Sequence, residues 1–134
     1  MIQKDYILRL TQEVAQVLAK LLSKNWQDSL PEIEAVYDNR LPISREAILA
    51  VPPDEIADFL NDHPTIEFAH IDAYAQLLYM EGRKRYEANE QSNSFACLAK
   101  AQSLLLYLNE AQGTFCFERQ EKLKSIQNIL PSEG

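Results

Sequence analysis

Glycine is scarce in this chain: three in 134 residues, at positions 82, 113 and 134. That scarcity rules out both glycine-rich phosphate loops, because neither a P-loop nor a dinucleotide fingerprint can be written with glycines so placed. Histidine is scarcer still, with only His63 and His70. A nucleophilic triad needs a histidine beside a serine or cysteine, and neither Cys97 nor Cys116 has one nearby in sequence. Two cysteines make no disulfide framework in a chain without an export signal. Both fall among apolar neighbours on expected helices, where a thiol serves as a small hydrophobe. No apolar run approaches the roughly 18 residues that cross a bilayer. The opening residues carry Lys4, Asp5 and Arg9 where a signal peptide would be continuously apolar. The expected location is cytoplasmic, without membrane insertion.

Positive charge is short in the middle. Residues 1–24 hold four basic and two acidic side chains, residues 25–81 two and twelve, and residues 82–134 seven and six. An acidic centre repels phosphate backbones and no basic stripe offsets it, so nucleic acid is not an expected partner. The run Arg83-Lys84-Arg85 would fan around a helix and reads as a solvated face. Lys4, Arg9, Lys20 and Lys24 do not form one dense polybasic strip, which argues against a membrane-surface role.

What is present is helical periodicity. Ile7, Leu10, Val14, Val17 and Leu21 recur at spacings of three and four, the seam of helices that pack nearly parallel. Tyr6, Ala15, Leu18 and Leu22 widen that seam, and a stripe so broad suggests contact on two sides. The plainer reading is a well-buried core helix; the alternative, an interface, has the five seam residues join a homodimer. Residues 26–63 read as short acidic helices. Ser29 and Glu32 form a capping box for a helix from Glu32 to about Asn39, Ser44 caps Arg45–Ala50, and Pro53-Asp54-Glu55 starts a third segment ending near Asn61. From Thr65 a longer face runs to about Ala88, a polar loop follows over 89–94, and a helix over 94–111 ends at Gly113. Thr114 caps a last helix that Pro131 closes. Consecutive long helices with short connections pack antiparallel. The expectation is one all-α domain over residues 1–134: a six-helix array with a long N-terminal helix (1–25), short acidic helices (26–63) and a three-helix C-terminal array (64–134).

Leu78, Gly82, Ser94, Leu98 and Ala101 fall at the offsets of the large, glycine, small, large and alanine positions of a tetratricopeptide repeat, which this hairpin resembles. Glu81 stands where that family usually has leucine, Arg85 where it has tyrosine, and the turn glycine is missing. The resemblance covers about 34 residues, one unit where a free solenoid needs about three. A mid-helix Gly82 costs about 1 kcal/mol relative to alanine, which close approach of a neighbouring helix would explain. The opening, Gln3 to Leu10 and Leu18-Ala-Lys-Leu-Leu22, with Asp5-Tyr6 and Arg9, is similar to the start of a family of uncharacterised bacterial helical proteins whose C-terminal halves also look like tetratricopeptide hairpins. That likeness implies the architecture and no activity.

Two site hypotheses remain. Tyr74, Tyr79, Tyr86 and Tyr107 fall on the two hairpin helices; such rings either form the ordinary rim of a core or line a peptide groove, being apolar with a wet hydroxyl. Glu67 and His70, with His63 before Pro64, could hold a single metal ion or support catalysis. A di-iron bundle would need two such motifs and two more glutamates. The stronger expectation is a non-catalytic helical interaction or scaffolding module with a protein partner, no cofactor and no bound metal.

Overall fold

The computed structural model describes residues 2–131, with side chains from Asp5 to Pro131. Among the described residues there are seven helices and no strand: α1 (Ile2–Leu21), α2 (Trp26–Arg40), α3 (Arg45–Ala50), α4 (Ile56–Asn61), α5 (Phe68–Glu87), α6 (Gln91–Gln112) and α7 (Phe117–Ile129). The expected count of six is corrected to seven: the long N-terminal helix, three helices in the middle third and three C-terminal helices.

Local chemistry sets the boundaries. Asn25 caps α2, its Oδ1 accepting the Asp28 N–H at 2.8 Å. This cap starts α2 at Trp26, six residues before the expected Glu32. Ser29 is not the cap; it lies one turn inside and its Oγ donates back to the Asn25 carbonyl at 2.7 Å. Pro31 stays within α2 at the cost of one backbone N–H. Ser44 caps α3, accepting from the Ala47 N–H at 3.2 Å. Gly113 ends α6 in the left-handed conformation at φ 64°, its N–H donating to the Asn109 carbonyl at 3.0 Å. Thr114 does not cap α7; it lies in a bend, and Cys116, with extended backbone, occupies the cap position. Cys116 is therefore half-buried outside the helix, whereas Cys97 is fully inside α6.

The centre of the molecule is the α5–α6 hairpin. Gly82 lies against Leu98, Tyr86 near Phe95 and Phe68 near Tyr107, a progression that only antiparallel helices give. A methyl group on Gly82 would sit 2.6 Å from the Leu98 side chain and 3.3 Å from its backbone nitrogen. The Ser94 hydroxyl donates to the Gly82 carbonyl at 2.7 Å, closing the same contact with a buried hydrogen bond. The glycine thus permits close approach, as its position in the helix suggested.

Around the hairpin, α1 runs parallel to α5: Tyr6 stacks near His70 at one end, and Lys84 reaches the chain after Leu21 at the other. The α2 helix returns alongside α1, tied by Arg40–Glu13 and by Lys20 and Lys24 on Glu32. On the far side α7 runs back along α6 and parallel to α5, with Arg83 opposite Ser125. Leu123 and Ile126 bury its inner side, while Glu118, Glu121, Lys124, Gln127 and Asn128 are exposed on the other. One apolar core links α1, α2, the short helices, the hairpin and α7.

Candidate functional site

The seam of α1 is spent inside the chain. Leu10, Val14 and Leu21 are buried in the core, and Ile7 and Val17 are half-buried at its edge. On that side α1 packs against α5 and α2 of the same chain. The second strip divides: Leu18 packs on the core, whereas Ala15 and Leu22 remain in solvent. Leu8 is exposed as well, so Leu8, Ala15 and Leu22 form an outward line at seven-residue spacing.

The four tyrosines do not share one groove. Tyr74 is wholly buried: its hydroxyl accepts the Ile43 N–H at 2.9 Å and donates to the Ile43 carbonyl at 3.1 Å. Leu41 and Ile43 point inward and Pro42 and Ser44 outward, so this tyrosine anchors an extended segment of its own chain. Burial pushes its phenol up to about 12, despite the backbone hydrogen bond to Ile43. Tyr107 faces the opposite side, donating to Asn61 Oδ1 at 2.8 Å. Only Tyr79 and Tyr86 remain together, seven residues apart on α5.

Between these two, Arg83 Nη1 donates to the Tyr79 hydroxyl at 2.9 Å and to Ser125 Oγ at 2.8 Å. The guanidinium fixes the spacing of α5 and α7, and a trough of about 530 Å³ opens beside it. Tyr86, Glu87, Lys124, Asn128 and Ile129 line the trough with Arg83. Its walls mix an aromatic ring, an aliphatic side chain and charges of both signs. Such a surface offers both apolar contact and hydrogen bonds.

His70 and Glu67 are occupied at the start of α5. The Glu67 N–H donates to His70 Nδ1 at 2.9 Å, so the imidazole satisfies a backbone donor that the helix leaves free. Nδ1 must be unprotonated to accept, and burial holds His70 below its ordinary value while the Glu67 carboxylate pulls the other way. His63 turns away onto Thr65, within 3.1 Å of its hydroxyl. Among the described residues, no three of His, Cys, Asp and Glu converge as metal ligands would. No described helix is long and apolar enough to cross a membrane. Of the basic residues at 4, 9, 20 and 24, Lys20 and Lys24 are drawn to Glu32, and the Lys4 side chain lies outside the described residues.

The largest electrostatic feature escaped sequence reasoning. Glu81 is wholly buried on α5, its Oε1 accepting from Arg45 Nε at 3.0 Å and its Oε2 from Arg45 Nη2 at 2.6 Å and Arg85 Nε at 2.9 Å. Arg85 lies 4.5 Å over the Trp26 ring and donates to Glu90 at 2.8 Å. Lys84 is buried too, donating to the Lys24 carbonyl at 2.6 Å where α1 has just ended. The run Arg83-Lys84-Arg85 is therefore not a solvated face: each cation is engaged by a different element. The available signal was Glu81 itself, a carboxylate on the apolar side of a helix, which requires a buried cation nearby.

Comparison with protein-family models, curated proteins and solved structures returned no match.

Proposed function

We propose that this chain is a non-catalytic helical module that binds another protein through the trough between α5 and α7. The observation that carries this reading is the Arg83 bridge to Tyr79 and Ser125, which sets two helices apart over an open, mixed-polarity channel. The likeness of α5–α6 to a tetratricopeptide hairpin is consistent with it. Engagement of Glu67 and His70 in starting a helix also favours binding over catalysis. Partner recovery from native lysate tests the proposal when the intact chain is compared with Tyr86→Ser/Lys124→Ser. The trough variant should lose a partner that a Glu46→Gln control retains. Equal recovery by all three removes the trough.

Self-association is a second reading, favoured by the outward line Leu8, Ala15 and Leu22. Light scattering should then show a dimer that Leu8→Ser/Leu22→Ser dissociates. A monomer at all concentrations ends that reading.

A further inference from the structure

Four large apolar side chains reach solvent at one end of the α5–α6 hairpin, the end away from its tight turn. Phe68 opens α5, Leu106 lies near the end of α6, and Phe115 and Phe117 flank Cys116 in the connection to α7. They are exposed by 45%, 52%, 75% and 66%. Phe68 sits 6.5 Å from the Tyr107 ring, and Arg119 at the start of α7 reaches back to Gln112 at 2.6 Å, so all four belong to one end of the molecule. Around Cys116 the backbone is extended, which sends Phe115 and Phe117 out together while the cysteine turns inward. Single exposed apolar residues are ordinary; several gathered at one end mark a docking surface.

The exposed charge at the rim is predominantly negative. Asp62, Glu67, Glu110 and Glu118 are exposed at this end. Two cations lie beside Glu118, both half-buried and engaged within the chain: Arg119 by Asn109 and Gln112, and Lys122 over the Tyr79 ring. We propose that this end docks a cationic amphipathic segment of another protein, its apolar side seated on the phenylalanines and its Lys or Arg side chains on the carboxylates. Charge selects this occupant. A second copy brought up by a two-fold axis would set the four carboxylates against the same four, a like-charge contact that costs affinity. Nucleic acid and anionic bilayers are repelled in the same way. A cationic partner gains at both the apolar centre and the rim. This surface is separate from the α5–α7 trough, so either reading can fail alone.

The test titrates the full chain into a labelled 18-residue amphipathic Leu/Lys peptide, followed by fluorescence anisotropy and by amide chemical shifts. Two variants accompany it: Phe115→Ser/Phe117→Ser, whose side chains lie outside the core, and Glu110→Gln/Glu118→Gln. Saturable binding is expected, weakened at least tenfold by the phenylalanine pair and at least threefold by the carboxylate pair. The amide shifts should gather at residues 62–68 and 106–119, and a Leu/Glu peptide should not bind. Undiminished binding by the phenylalanine variant, shifts centred elsewhere or equal binding of the Leu/Glu peptide would overturn the proposal. So would preference for anionic vesicles over the peptide, or a dimer that the phenylalanine substitutions dissolve.

Discussion

Replacing Glu81 by glutamine keeps the shape of the side chain and removes its charge, leaving Arg45 and Arg85 facing an amide. Glu81 accepts three N–H groups and none of its surface meets solvent. Breaking a buried pair by removing one partner costs about 3–5 kcal/mol. Three features place Glu81→Gln at the low end. Arg45 retains Glu34 at 3.6 Å, Arg85 retains Glu90 at 2.8 Å, and both guanidiniums keep a small opening to water. A loss of about 3 kcal/mol is thus expected, a large part of the roughly 5–15 kcal/mol of a domain this size. Urea unfolding followed by circular dichroism should show a lower midpoint with an unchanged slope. The reasoning further requires that Glu81→Leu/Arg45→Met/Arg85→Met recover most of the loss, since the damage lies in unpaired charge rather than in missing contacts. A loss below about 1 kcal/mol for Glu81→Gln, or a triple variant weaker than the single one, would refute it.

Other perturbations follow from the same structure. Gly82→Ala gains about 1 kcal/mol in helix propensity but forces a methyl group against buried Leu98, and should destabilise by a net 1–2 kcal/mol in thermal unfolding. His70 has its folded pKa lowered, so its stabilising contribution is complete above its unfolded value of about 6.5 and is lost as pH falls from there toward the folded value. His70→Gln should flatten that part of the stability–pH curve; an unchanged slope between pH 7 and 5 contradicts the assignment. Burial pushes the Cys97 thiol up to about 12, so native protein should react at Cys116 with a disulfide reagent and at Cys97 only after unfolding, as peptide mapping would report.

Much of the fold was legible because its long helices carry the signal that periodicity reads. The spacing of Leu10, Val14 and Leu21 located α1, and the C-terminal apolar positions located α5, α6 and α7. The tight contact at Gly82 was also readable, since a glycine in mid-helix wants a reason. Periodicity failed where it reports burial without naming what does the burying. The α1 seam pointed inward to α2 and α5, and Tyr74 into the core, yet the same intervals describe an intersubunit face or a groove. The beginning of α2 was missed because the Ser29–Glu32 pattern resembles a cap, while Asn25 already holds that place in space. The Glu81 network was hidden for a different reason: Arg45 is far from it in sequence, and only the docking of α3 on α5 brings them together.

The functional account stands on the trough between α5 and α7, and amide chemical-shift mapping tests it most directly. Titration of isotopically labelled chain with the partner recovered through the trough should move the amides of Tyr79 to Glu87 and of Glu121 to Ile129, leaving α1 and α3 still. Shifts confined to other elements, with those two helices unmoved, would contradict it.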